Sequence, residues 1–199
     1  VYSISNKYPS MLAINSNAHA LARYSALVQE SGMVPIVEPE VLMDGAHSAD
    51  VCLSKTSEVI SKCFEELILH KVDLSGIILK PNMILSGNQS KEKISSEEIA
   101  DKTLECLKNS VPSDVPGIAF LSGGQSEVEA TENLNLINKK NNTNFIMTYS
   151  YGRALQQSSL RVWSKNTQDI EITQKTFNHR AKMCTLAAQG EWMSELENK

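Results

Sequence analysis

The chain has 199 residues, 41% of them hydrophobic, and a formal net charge of -4. That much apolar material builds a core and excludes a disordered tail, and the mild acidity gives no electrostatic reason to expect nucleic acid or an anionic membrane surface as the main partner. No run approaches the ~18 apolar residues of a spanning helix, so no membrane insertion is expected. No signal-peptide pattern opens the chain, which begins with Val1 rather than Met and is expected to continue upstream.

Helix and strand patterns alternate from there. Asn17 to Ser31 reads as a helix with Leu21, Tyr24 and Val28 on one face and Gly32 as its stop. MVPIVE (33–38) follows as a strand, then residues 50–70 as a helix in which Val59, Cys63 and Leu67 repeat at four. GIILKPNM (76–83) contains the next strand, which Pro81 interrupts. Ser95 with Glu98 makes a capping box for a helix to about Ser110. GIAFLS (117–122) is the third strand, and Ser126 with Glu129 caps a helix ending near Lys140. The polar run KKNNTN (139–144) leads to NFIMTYS (144–150), the fourth strand. A short helix through Ala154–Trp163 follows, and then a long one from Gln168 to Ala188. In the long one, Ile170, Phe177, Ala181, Cys184 and Ala188 share a face.

Cys52, Cys63, Cys106 and Cys184 lack CxxC spacing and fall on or near apolar helix faces, so they read as small buried thiols of a reducing compartment. The histidines, at 19, 47, 70 and 179, are dispersed along the chain, and no zinc site is expected from them.

Strands apolar on both faces, alternating with helices, indicate an α/β fold with a parallel sheet covered by helices. The choice lies between an open doubly wound sheet and a (β/α)8 TIM barrel. Four strands cannot close a barrel, and a complete one takes about 250 residues. No GxGxxG opens the first strand–helix turn. Glu38, Lys80, Ser122 and Ser150 each stand at or just past the C-terminal end of a different strand, which is how barrels build sites. Residues 1–199 are therefore expected to supply roughly the last four strand–helix units of one barrel domain, with earlier strands upstream.

Lys80 shares a strand face with Ile78 and ends a buried strand, an expensive place for an ammonium group unless it is paired or functional. Glu92 is the only carboxylate between it and the next helix. A lysine kept partly out of water can present a free amine that attacks a ketone and forms a Schiff base. The bland alternative is a lysine that snorkels to water. Glu38 ends its strand, with Glu40 sharing its parity across Pro39. It is either a solvated charge or an acid/base for dehydrating a carbinolamine. LSGGQS (121–126) and SYGRAL (150–155) are each either plain turns or halves of a phosphate cradle. Glycines would bring backbone N–H groups close and Arg153 would add charge. Two such loops after consecutive strands match the phosphate site common in barrels.

VPIVEPE, ILKPNM, FLSGGQSE and YSYGRALQ, in this order and at these separations, closely resemble class I fructose-bisphosphate aldolases from about Ala13 to Gly190. One departure is Ser75, where that family's signature usually has Glu before Gly76. The resemblance implies a Schiff-base lysine at Lys80, a dehydrating acid/base at Glu38 and a supporting carboxylate at Glu40. It implies a phosphate cradle from Leu121, Ser122, Gly123, Ser150, Gly152 and Arg153. It further implies reversible cleavage of fructose 1,6-bisphosphate into dihydroxyacetone phosphate and glyceraldehyde 3-phosphate, with no metal and no cofactor, in a cytoplasmic, glycolytic homotetramer. Val1 to Ile4 would be the tail of the fourth strand, and the strands bearing the family's aspartate and other catalytic lysine would precede Val1. The family's C-terminal tyrosine has no counterpart in ELENK. Two alternatives stand beside this reading: a bridging role that binds actin or the cytoplasmic tail of an adhesin, and a Schiff-base aldolase for another phosphorylated sugar.

Overall fold

The structure, a computed structural model, describes residues 1–198. Its elements run α1 (Met11–Glu30), β1 (Ile36–Val37), α2 (Ala49–Leu69), β2 (Ile78–Leu79), α3 (Ser96–Ser110), β3 (Gly117–Phe120), α4 (Glu127–Lys140), β4 (Ile146–Tyr149), α5 (Arg153–Lys165) and α6 (Ile170–Ala188). Every expected element is present, with the strands shorter than their apolar runs.

Local chemistry explains the helix starts. Both capping boxes form: Ser95 accepts from the Glu98 amide, Ser126 accepts from the Glu129 amide, and each glutamate reaches back to its serine's backbone N–H. Ser10 and Ser48 cap α1 and α2 by the same serine-to-amide contact. The Ser10 cap starts α1 at Met11, ahead of the Asn17 expected from apolar spacing.

All four strands are parallel and lie in the order β1-β2-β3-β4, with Ile36 opposite Ile78, Ile78 opposite Gly117 and Gly117 opposite Ile146. Each connection advances one strand in the same direction, whereas a doubly wound sheet reverses direction at a switch point. The sheet is singly wound, a partial (β/α)8 barrel. Tyr2 makes a parallel bridge to Val41, its N–H donating to the Glu40 carbonyl at 2.9 Å. The first residues thus lie alongside the extension of β1, the place expected of a preceding strand.

Helices pack on one face of the sheet only. There Val37, Leu79, Ile118, Phe120 and Met147 meet Ile60, Phe64, Leu107 and Leu134 in one core. The other face carries Ile36, 48% exposed, and Ile146, 74% exposed. This agrees with the expected partial barrel: the strands are apolar on both sides because the second side is a barrel's interior, which other strands would cover.

Two helix faces also differ from the sequence reading. In α1 the buried stripe is Ile14, Ala18, Ala22 and Ser25, while Tyr24 is exposed. Small residues let α1 lie close on α2, and the larger side chains flank the contact. In α6 the buried residues are Arg180, Met183, Cys184 and Ala187, leaving Ile170 and Phe177 exposed. Arg180 belongs to that face because the Glu197 carboxylate pairs with its guanidinium at 2.6 and 2.8 Å. All four cysteines are free and buried. Burial pushes the Cys63 thiol up to about 12 and the Cys106 thiol up to about 11, which makes both inert at neutral pH.

Candidate active site

Parallel register brings the two leading candidates together. Val37 lies opposite Leu79, so the next residues, Glu38 and Lys80, stand side by side just beyond the strands. The Lys80 amide donates to the Val37 carbonyl at 2.7 Å, continuing the ladder one step. The Lys80 Nζ lies 3.0 Å from Glu38 Oε1, with the lysine side chain 20% exposed and the glutamate 41%. The residues after Lys80 offered only Glu92, yet the neighbouring strand supplies a carboxylate directly. The arrangement answers the cost of a half-buried ammonium with a partner, and the same contact is short enough for proton transfer.

Asn82, a residue the motif contained but the sequence reading assigned no role, ties these strand ends together. Its buried Oδ1 accepts from the Val41 amide at 2.9 Å, and its Nδ2 donates to Thr56 Oγ1 and the Met83 carbonyl, each at 3.1 Å. The segment after Glu40 is thereby fixed to the segment after Lys80. A polar amide straight after a strand-ending proline, inside an apolar run, is the signal that could have revealed it.

A cleft of about 410 Å3 past the strand ends is lined by Glu40, Ser122, Gly123 and Arg153, among others, and neither Glu38 nor Lys80 is among its lining residues. Glycine suits two points of its wall. A Cβ on Gly123 would come within 2.9 Å of Leu121 Cδ1 and 3.4 Å of Glu40 Oε1, while Gly124 has φ +76° and abuts Met43. Leu121 is buried beneath this loop rather than open to the cleft, and its amide donates to the Pro81 carbonyl at 3.1 Å. Ser150 donates its amide to the Phe120 carbonyl at 2.8 Å. Neither Ser150 nor Gly152 is among the cleft's lining residues.

The two glycine loops differ in electrostatics. The start of α4 is already satisfied by its Ser126–Glu129 box, and its first turn holds Glu127 and Glu129. Glu127 is itself clamped, accepting from the Ser158 amide at 2.7 Å, from the Ser158 hydroxyl and from Arg161 at 3.0 Å. The start of α5, by contrast, has Gly152 as its cap, no side-chain cap bond and no acidic residue in its first turn. The Leu155 amide donates to the Gly152 carbonyl at 3.1 Å, and the amides of Arg153 and Ala154 ahead of it are the ones an anion would meet.

Comparison with known proteins gives one consistent answer. The family model for class I fructose-bisphosphate aldolase, described as glycolytic, matches residues 1–199. Cytosolic fructose-bisphosphate aldolase 4 of Arabidopsis thaliana is 46% identical over 99% of this chain and 50% of its own length. Chloroplastic fructose-bisphosphate aldolase 3 of the same plant is 48% identical over 96% of this chain and 49% of its own. Among solved structures, fructose-bisphosphate aldolase from Plasmodium falciparum, in a ternary co-crystal with TRAP and a small-molecule inhibitor, superposes with a TM-score of 0.94. It is 39% identical, over 97% of this chain and 56% of that one. The chain thus spans about half the length of the curated relatives it matches.

Proposed function

The chain belongs to the class I fructose-bisphosphate aldolases, and on that premise we propose that it contributes the Schiff-base half of the active site in one barrel domain. The reaction is reversible cleavage of fructose 1,6-bisphosphate into dihydroxyacetone phosphate and glyceraldehyde 3-phosphate. The observation that carries this reading is the Lys80–Glu38 pair, set in register at the ends of adjacent strands.

The chemistry follows from that contact. Lys80 Nζ passes a proton to Glu38 across 3.0 Å and its lone pair attacks the substrate ketone, giving a carbinolamine. Glu38 then returns a proton to the departing hydroxyl, and water leaves an iminium ion. As a base takes the proton of the hydroxyl on the departing carbon, the carbon–carbon bond breaks, its electron pair moves into the iminium, the aldehyde departs and an enamine remains. Reprotonation and hydrolysis of the imine regenerate the lysine. Glu40, which lines the cleft beside Gly123, is a supporting carboxylate.

The cleft takes the phosphate next to the ketone at Ser122, Gly123 and Arg153, which line it, while Leu121, Ser150 and Gly152 support these residues from behind the wall. The electron sink is the lysine imine, so turnover needs neither metal nor cofactor. Assembly as a cytoplasmic homotetramer belongs to the same proposal, although one relative is named as chloroplastic. No described helix is long and apolar enough to cross a membrane. A second reading, a bridging role toward an adhesin tail or actin, is favoured by the TRAP complex of the similar Plasmodium protein.

Borohydride added to the intact protein with dihydroxyacetone phosphate should trap an adduct on Lys80, and EDTA should leave turnover unchanged. Trapping on another lysine, or loss of turnover with EDTA, overturns the assignment. A bridging role would survive Lys80→Ala, whereas cleavage would not.

A further inference from the structure

We propose that His19, Glu66 and His70 form a surface site for one divalent cation of the zinc type, clipping α1 to α2. The histidines are 51 positions apart in the chain, which is why their spacing suggested no site. Folding brings them together: Glu66 and His70 are one turn apart at the end of α2, and His19 faces them from α1.

One ligand atom from each residue lies within 4.8 Å of the other two. Glu66 Oε2 lies 3.3 Å from His19 Nδ1, and the His70 ring stands beside it, its Nδ1 3.9 Å away. The two imidazoles pack edge to face with centroids 4.8 Å apart. Tetrahedral zinc with bonds of about 2.0–2.2 Å holds its ligand atoms about 3.3 Å apart, so only a modest contraction is needed. His19, with its side chain 54% exposed, can swing to supply it.

The other two ligands are held in place. The Glu66 carbonyl lies 2.8 Å from His70 Nδ1, and imidazoles that bind a metal through one nitrogen commonly donate to a carbonyl from the other. Glu66 Oε1 is 3.5 Å from Lys62 Nζ, which leaves Oε2 for the cation. Glu65 Oε2, 3.0 Å from the same ammonium, offsets the lysine's charge. Two imidazoles with one carboxylate suit zinc, with water in the fourth position, rather than magnesium or calcium.

His70 stands where α2 ends and the chain turns toward the N-terminal end of β2, while Lys80 lies past the C-terminal end of that strand. None of the three residues lines the strand-end cleft. The cation would therefore strengthen the docking of α1 on α2 without entering the chemistry, consistent with turnover that resists chelation.

The test is calorimetric titration of the metal-free intact protein with zinc chloride, alongside thermal melts. The expected result is one saturable site per chain and a melting temperature raised by zinc. His19→Ala and His70→Ala should each weaken binding at least tenfold, and the double variant should abolish it. His47→Ala and His179→Ala should change nothing. No saturable binding, or a site indifferent to both His19→Ala and His70→Ala, overturns the proposal. So does a His19→Ala melting shift that is the same with and without zinc, which would mark an ion pair only.

Discussion

Glu38→Gln keeps the size and hydrogen-bonding reach of the side chain while removing its ability to take and return a proton. The 3.0 Å contact to Lys80 Nζ should survive as an amide hydrogen bond, so the lysine stays in place and substrate binding changes little. What is lost is general acid–base catalysis of imine formation, a contribution of roughly 10²–10⁴-fold. The Glu38 side chain is 41% exposed, so a water molecule can partly take over, which places the expected loss near the lower end. A hundredfold fall in kcat corresponds to about 2.7 kcal/mol of barrier. Steady-state cleavage of fructose bisphosphate in the intact protein measures kcat and KM, and the rate of borohydride trapping isolates imine formation. Both rates should fall together at nearly constant KM. If turnover drops and trapping does not, Glu38 acts after the imine; if neither moves by more than threefold, the proton passes through another group.

Three further outcomes test the surroundings. Arg153→Ala, which removes the cation at the open start of α5, should weaken substrate affinity about ten- to a hundredfold, or roughly 1.5–3 kcal/mol, measured as KM or by phosphate inhibition. Burial pushes the Glu197 carboxyl up, but the fork of Arg180 and the Trp192 N–H outweigh it and hold the carboxyl below its ordinary value. A depressed carboxyl stabilises the fold above its unfolded value of about 4.3 and loses that contribution as pH falls through the folded value, so melting temperature should drop in that acid window. Glu197→Ala leaves Arg180, its side chain 6% exposed, without its partner and should cost roughly 3–5 kcal/mol at neutral pH. A variant as stable as the parent by urea unfolding would show that the pair adds nothing.

The residues in the chain made some of this legible and hid the rest. Element order and both capping boxes could be read directly, since each depends on neighbours within four positions. That Glu38 and Lys80 are both strand-end residues was also readable. Their contact was not, because it depends on register between strands some forty residues apart in the chain. The α1 contact eluded the reading because apolar periodicity favours large side chains, whereas close helix packing selected Ala18, Ala22 and Ser25. The unequal helix starts were in plain view, as Ser126-x-x-Glu129 against Gly152, but their opposite meaning for an anion emerged only with the carboxylates in place.

The consecutive strand order bears on how the molecule is made. Every strand pairs with the one synthesised just before it, so each new strand–helix unit can add to an edge that already exists. Each pairing joins segments some thirty to forty residues apart, so growth from the ribosome can proceed one strand–helix unit at a time. The hazard of such growth is the open sheet, whose edge backbone is unpaired and whose interior face leaves side chains such as Ile146 in solvent until the barrel closes.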